Sequence, residues 1–154
     1  MSKRNYLFFL VDAIVSLERI EALVKPCNNS IELRQNSVQY HAVLRFFGII
    51  GEVMRLLVEE PALAYAKDKS WPVIIAFRNI VIHEYFGIDH EQVFAIATQH
   101  VPLLRKQLEQ ICFDLKNHPA MQQIMKDAKT DLIKNWEKES AEYVQKMIVK
   151  LYGK

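Results

Sequence analysis

Glycine and proline are scarce in this chain, which has only 4 Gly and 5 Pro among its 154 residues. An all-β sandwich or barrel needs a turn about every 8–12 residues, and such turns draw heavily on these two residues. The chain cannot supply that many turns, so an all-β fold is excluded. Hydrophobic residues make up 51% of the sequence, enough to give long helices a packed core in one domain over residues 1–154.

Apolar residues recur at spacings of three and four through long segments, which is the pattern of amphipathic helices. Pro26 follows the first segment, Gly87 ends the third, and Pro102 predicts a kink in the fourth. A final, polar-rich helix begins after Pro119 and reaches about Tyr152. The four main segments are predicted at residues 5–25, 36–60, 70–87 and 90–117.

The second segment is apolar on nearly every side between Leu44 and Val58, which predicts a position at the centre of a bundle. Gly48 and Gly51 within it either let a neighbouring helix approach closely or simply weaken this helix. The connections between the segments are short. We therefore predict an all-α, up-and-down bundle of four main helices plus short helices.

Charge and cysteine content restrict which ligands the chain binds and in which compartment it is expected. A formal net charge of +2 permits contact with a phosphate backbone, but it is below the basic excess of a dedicated DNA-binding protein. Cys27 and Cys112 match neither a C-x-x-C motif nor a zinc-ligand spacing, so we expect free thiols in a reducing cytoplasm. Asp12 cuts short the apolar run near the N-terminus, and no other run is long enough to span a membrane.

The sequence lacks the motifs of common metal-dependent and nucleotide-dependent enzymes. None of the 5 histidines has another histidine four residues away. The pair His83-Glu84 fails as H-E-x-x-H because Gly87 stands at the fifth position. Neither a G-x-x-x-x-G-K-[ST] loop for phosphates nor a G-x-S-x-G nucleophile turn occurs. We expect no metal ion and no cofactor.

One part of the third helix concentrates reactive side chains. Arg78 and Tyr85 lie about 20° apart on a helix with about 100° per residue. Asn79 and His83 lie about 40° apart on the same broad side. Taken alone, the pattern also fits a partly exposed helix whose polar face includes these residues by chance. The side chains predicted to face the core are Phe77, Ile80 and Val81.

The segment that begins at Arg78 resembles the R-x4-H-x-Y signature of HEPN-domain proteins, specifically the HepT-like toxins paired with minimal nucleotidyltransferase antitoxins. Residues 11–14 (VDAI) resemble the first helix of that family. Residues 45–52 (RFFGIIGE) resemble its second-helix motif R-x-L-x-I-I-G-E, and Trp71 precedes the signature in the family order. The resemblance covers residues 5–111.

The resemblance implies a metal-independent endoribonuclease that acts as the toxin of a toxin–antitoxin pair and cleaves RNA. It assigns catalysis to Arg78 and His83, and substrate binding to Asn79 and Tyr85. These roles suit the side chains. An imidazole exchanges protons near neutral pH, and a guanidinium keeps its charge and presents a planar fork to two phosphate oxygens.

RNA cleavage of this kind uses both a base and an acid, whereas one chain supplies one signature histidine. A two-fold interface along the third helix would bring two copies of His83 and Arg78 into one cleft. The resemblance likewise implies a homodimer. It also implies that a nucleotidyltransferase antitoxin attaches AMP to Tyr85, where the added negative charge would repel RNA phosphate.

Two other functions remain open at this point. A non-catalytic HEPN subunit that holds substrate for a partner nucleotidyltransferase would share the fold, and fold alone does not establish activity. A plain helical scaffold would tolerate any polar residue in the signature. The intact Arg78, Asn79, His83 and Tyr85 favour the enzyme.

Residues 118–154 extend beyond the family core and are predicted to form a C-terminal helix. An apolar stripe runs along it, amid several lysines. The stripe is explained either by packing on the bundle or by a basic-flanked surface that docks RNA or the antitoxin. Its members are Ile124, Ala128, Leu132, Trp136, Tyr143, Met147 and Leu151.

Overall fold

The computed structural model describes residues 5–153, apart from the side chain of Tyr85, and this part of the chain is helical without strands. The predicted all-α bundle is confirmed. Two 3₁₀ turns, Pro61–Ala66 and Tyr85–Gly87, and a π-helical segment, Ile96–His100, lie between the helices. The α-helices are α1 (Tyr6–Val24), α2 (Ser30–Gln35), α3 (Ser37–Val58), α4 (Ser70–His83), α5 (His90–Ala95), α6 (Val101–Asp114), α7 (Met121–Lys134) and α8 (Lys138–Tyr152).

Helix α3 lies between α1 and α4, as its apolar sequence predicts. Helix α1 also contacts α6, α7 and α8. The largest fully buried side chains include Trp71 of α4 and Phe47 of α3. This order places α4 at the edge of the bundle, packed on α3, with residues such as Asn79 and Ile82 exposed.

Polar side chains start several helices at the predicted breaks. Asn5, Asn36 and Asp89 accept hydrogen bonds from backbone N–H groups in the first turns of α1, α3 and α5. Helix α2 was not predicted, because six residues are too few to display a helical period. Asn29 caps α2, and Leu33 anchors it in the core.

Helix α4 ends at His83, four residues earlier than predicted. Glu84 leaves the helical conformation (φ −112°, ψ 40°), and a 3₁₀ turn follows. The chain turns here because Ile88 packs into the core only a few residues later. Tyr85 therefore does not continue α4, and the predicted angle of about 20° between Tyr85 and Arg78 is wrong.

The fourth helix, predicted over residues 90–117, covers residues 90–114 in the structure, and its middle is not the simple kink that Pro102 predicts. Pro102 has no N–H, and its ring would clash with the carbonyl of Thr98 in a regular α-helix. The backbone widens into the π-helical segment Ile96–His100 just before this proline. Helices α5 and α6 are thus two parts of one longer helix.

The prediction of one C-terminal helix is wrong, because α7 and α8 are separate. Trp136 adopts the left-handed conformation with φ 64°. The Glu137 N–H donates to the Leu132 carbonyl at 2.9 Å, and the Trp136 N–H donates to the Ile133 carbonyl at 3.1 Å. This pair of hydrogen bonds is a Schellman motif, which closes α7 and lets the chain turn into α8.

The apolar stripe of this region mostly packs on the bundle. Ile124 and Met147 are buried in the core, and Leu132 packs against it. Trp136 is 84% exposed, so packing does not account for it. The packing interpretation is confirmed for the helices but not for the turn between them.

The two cysteines are free, as predicted. Burial raises the pKa of the Cys112 thiol to about 12, so this thiol stays protonated at neutral pH. Within residues 5–153, no helix combines the length and apolar character needed to cross a membrane.

Candidate active site

Arg78 lies on the side of α4 that faces α3. Its Nη2 is 3.2 Å from Glu52 Oε2 of α3, and its Nη1 donates to Asn79 Oδ1 at 3.0 Å. Its Nε is buried and has no hydrogen-bond partner among the described residues. The side chain keeps 25% of its surface exposed, so these contacts orient the guanidinium while leaving part of it open to a ligand.

Gly51 makes room for Arg78 where α3 and α4 meet. A Cβ at position 51 would lie 2.0 Å from Arg78 Cβ and 2.4 Å from its Cγ. Gly48, one turn earlier, has no such neighbour within 4 Å. The predicted close approach of a neighbouring helix is therefore confirmed at Gly51 and wrong at Gly48.

Glu52 joins two arginines at this helix contact. It accepts a hydrogen bond from Arg55 at 2.8 Å and pairs with Arg78. The Arg55 hydrogen bond and the charges of both arginines hold the pKa of Glu52 below its usual value, although partial burial opposes the shift. Glu52 is therefore ionised at neutral pH and fixes the direction of Arg78.

A groove of about 530 Å³ runs between α3 and α4 beside Arg78. Arg45 and His41 of α3 line it together with Arg78, and Glu52 is its acidic lining residue. Because Glu52 is already paired, the groove keeps an excess of positive charge that suits a phosphate group. Sequence reasoning gave no role to Arg45, His41 or Glu52, although two of them belong to the recognised second-helix motif.

His83 is the last residue of α4, and its side chain is exposed, like that of Asn79. Arg78 lies five residues earlier, which on a helix corresponds to about 7.5 Å along the axis and about 140° around it. Asn79 and His83 share the exposed side, as predicted. The guanidinium of Arg78 contacts both Glu52 of α3 and the Asn79 side chain, so it lies between the contact with α3 and this exposed side.

The end of α4 carries exposed apolar side chains beside His83. Ile82 is 45% exposed and Phe86 is 100% exposed. The side chain of Tyr85 lies outside the described part of the structure, and its backbone belongs to the 3₁₀ turn. The substrate contact and the AMP attachment at Tyr85 therefore remain predictions. In the described part of the chain, no group of three or more His, Cys, Asp or Glu residues is placed to hold a metal ion.

Comparison with known proteins identifies the family. The family described as "Ribonuclease HepT-like" matches residues 13–111, which run from α1 to α6 and include Glu52, Arg78 and His83. The chain belongs to this family. The match ends before α7 and α8, as the resemblance predicted.

Several related proteins have names that specify the same activity. The chain is 31% identical over 109 residues to a Methanocaldococcus jannaschii protein named "Putative RNase", covering 71% of this chain and 98% of that protein. A second protein with this name from the same organism is 27% identical over 116 residues, covering 75% of this chain and 98% of that protein. A Thermococcus cleftensis protein named "Probable ribonuclease HepT" is 25% identical over 109 residues, covering 71% of this chain and 97% of that protein. No solved structure matches the chain significantly. Family membership thus supports ribonuclease function.

Proposed function

We propose that this protein is a metal-independent endoribonuclease whose active site is built on the end of α4. The observation that carries the proposal is the placement of Arg78 and His83 within the family-matched region. Arg78 is held by Glu52 beside a cationic groove, and His83 is exposed at the helix end. A guanidinium that binds phosphate and an imidazole that transfers protons are together suited to RNA as the substrate.

The chemistry follows from these side chains. One imidazole removes the proton of a ribose 2′-OH, and the 2′-oxygen attacks the adjacent phosphorus. A second imidazole, in its protonated form, donates a proton to the departing 5′-oxygen. The products are a 2′,3′-cyclic phosphate and a 5′-OH. Arg78 stabilises the negative charge that builds up on the phosphoryl oxygens, and Asn79 positions the imidazole or the phosphate.

A second chain completes this site in the proposal. Within one protomer, the Cα atoms of Arg78 and His83 are about 140° apart around α4, and the chain supplies one signature histidine for two proton transfers. A two-fold contact along α4 would place the imidazole of one protomer opposite the guanidinium of the other. The exposed Ile82 and Phe86 give this end of α4 an apolar surface for such a contact. We therefore propose a homodimer.

Regulation by a nucleotidyltransferase antitoxin is part of the same proposal. The antitoxin would transfer AMP to the Tyr85 hydroxyl, following the family resemblance, and the chain would act as the toxin of the pair. The added phosphate would compete with RNA for the cationic groove. Replacing Tyr85 by Phe removes the hydroxyl. The toxin should then retain most of its RNA cleavage and incorporate no labelled AMP from its antitoxin.

The direct test is cleavage of RNA in the presence of EDTA. We expect the wild-type protein to cut a labelled single-stranded RNA and to leave a 2′,3′-cyclic phosphate end, detected by mass spectrometry. His83→Ala should stop cleavage, since each acid–base group contributes about 10²–10⁴-fold. Arg78→Ala should be nearly as inactive. Loss of activity on chelation with recovery on adding Mg²⁺ would refute the mechanism, and tight RNA binding without cleavage by the wild type would identify a non-catalytic binding subunit.

A further inference from the structure

A second groove, of about 600 Å³, lies between α6 and α8. Apolar side chains of Phe113, Met147 and Leu151 line it, and Met147 is buried in the core. Most of this lining belongs to residues beyond position 111, where the family match ends. The groove is therefore a feature of this chain's own C-terminal region.

Three exposed lysines surround this apolar lining: Lys106, Lys146 and Lys150. None of them forms an ion pair with a described residue. Lys146 and Lys150 are one helical turn apart on α8, so their ammonium groups follow the same edge of the groove. The edge is thus a row of uncompensated positive charge.

The acidic residue of the groove, Glu109, is held in a network of hydrogen bonds. It accepts a hydrogen bond from Arg105 Nη1 at 2.6 Å and another from the Tyr143 hydroxyl. Arg105 also pairs with Glu21 of α1. This network joins α1, α6 and α8 and fixes the shape of the groove. Its one arginine serves two carboxylates, but the three lysines of the lining still outnumber the one carboxylate there.

Phe113 adds an aromatic surface at the groove. Its side chain is 43% exposed, and the ammonium group of Lys116 lies 4.7 Å from the centre of its ring. An exposed ring beside cations is the combination that single-stranded nucleic acids bind, since bases stack on the ring and phosphates contact the cations. An acidic peptide would use the lysines but would gain little from the ring.

We infer that the α6–α8 groove binds single-stranded RNA outside the cleavage site. Phe113 would stack one base, and Lys106, Lys146 and Lys150 would contact the flanking phosphates. This inference rests on the proposed ribonuclease function, which makes RNA the expected ligand. The groove would anchor a long substrate while another part of the strand occupies the α4 site.

The two sites are separate in the fold. Helix α6 meets α4 at the beginning of α4, where Trp71 Nε1 donates to Gln107 Oε1 at 2.8 Å. His83 lies twelve residues later, about 18 Å further along the α4 axis. A change in the lysines should therefore alter RNA affinity without disturbing the chemistry at His83.

The test measures RNA binding by a protein that cannot cut it. Fluorescence anisotropy with a labelled single-stranded RNA would be recorded in EDTA for the His83→Ala protein with and without K106E, K146E and K150E. We expect the triple change to weaken binding about tenfold or more at low salt. A plot of the logarithm of the RNA association constant against the logarithm of the salt concentration has a negative slope. The magnitude of that slope should decrease by about 2, because each lost phosphate contact removes about 0.7.

Matched controls keep the charge change constant. The triple change K126E, K134E and K138E reverses three exposed lysines of α7 and α8 that do not line the groove, and it should leave binding nearly unchanged. Phe113→Ala should weaken binding about tenfold. Trp136→Ala, which removes an exposed ring outside the groove, should have no such effect.

Cleavage of substrates of two lengths separates this inference from the proposed function. The groove variant carries K106E, K146E and K150E, and the control variant carries K126E, K134E and K138E. With His83 intact, the groove variant should cut a short oligonucleotide at the normal rate and a long RNA with a raised KM. Equal RNA affinity for the groove and control variants would overturn the inference, whatever the wild type cleaves. Tighter binding of an acidic peptide than of RNA to the control variant, lost in the groove variant, would also overturn it, because the groove would then prefer a protein ligand. Absence of cleavage by the wild type, with groove-dependent RNA binding intact, would overturn the proposed function alone.

Discussion

The position of Arg78 depends on the absence of a side chain at Gly51, the facing residue of α3. At Gly51 the backbone of α3 comes so close to α4 that an added Cβ would overlap the Arg78 Cβ and Cγ. The position of the Arg78 Cβ is fixed by the backbone, so this overlap is relieved only if a helix moves. The glycine therefore sets the separation of α3 and α4 and, through it, the distance between Arg78 and Glu52.

Alanine substitutions at the two glycines of α3 test this role. Gly51→Ala should destabilise the protein by about 1–3 kcal/mol through overpacking and should displace Arg78, which lowers RNA cleavage. Gly48→Ala is the matched control, because the added methyl group meets nothing within 4 Å. It should stabilise α3 by about 0.5–1 kcal/mol. Urea unfolding of both variants gives the comparison, and equal effects would show that Gly51 has no special position.

Glu52 should make stability depend on pH in the acidic range. Because its pKa is lowered in the folded state, its contribution is present above the usual glutamate pKa of about 4.3 and is lost as the pH falls further. The contribution is below about 1 kcal/mol, since Glu52 is 42% exposed. In urea titrations, Glu52→Gln should be less stable than wild type at pH 7 and equal to it near pH 3. A constant difference across this range would contradict the ionic role.

At this scale the sequence predicted candidate catalytic residues, whose roles remain predictions, but not the contacts that hold them. Arg78, Asn79 and His83 were identified from their spacing and from the family resemblance. The Glu52–Arg78 ion pair could not be predicted, because it depends on the register between two helices. The close glycine spacing in α3 was the available signal. It pointed to both Gly48 and Gly51, and packing decides between them.

The observed helices differ from the predicted ones where a turn or a proline interrupts the helical spacing of apolar residues. Helix α4 ends at His83 because burial of Ile88 requires a turn. The helical spacing of apolar residues continues beyond His83, so the sequence predicted a longer helix. Pro102 was recognised as a disturbance, but sequence could not indicate that the backbone would respond with a π-helical segment. The long helices α1 and α3 were predicted closely, since clear stop signals follow their apolar patterns.

The break between α7 and α8 was missed because no glycine marks it. Trp136 occupies the left-handed position that glycine usually takes in a Schellman motif. Trp136→Gly should relieve this strain and stabilise the protein by about 0.5–1 kcal/mol, since the exposed ring contributes little burial. Trp136→Ala keeps the Cβ and should show no such gain. Thermal unfolding measures both, and a fall in Tm for the glycine variant would mean that the indole stabilises the turn.

At the scale of the whole molecule, the order in which the helices pack determines which surface of α4 stays accessible. Helix α3 separates α4 from α1, and α7 and α8 pack on the α1 side of the bundle. The signature end of α4 therefore stays uncovered by the C-terminal helices. The fold class followed from the scarcity of turn residues. The proposed assembly of two chains could not be predicted from any periodic pattern, and it rests on the chemistry that one histidine leaves incomplete.

Mixed dimers of wild-type and His83→Ala chains test the central claim most directly. The two chains would carry different affinity tags, and heterodimers would be purified through both before RNA cleavage is measured in EDTA. If the cleft needs an imidazole from each protomer, the heterodimer should be close to inactive, at least about 10²-fold below wild type. A heterodimer that retains about half the wild-type rate would show that each chain works alone, which would contradict the two-chain site.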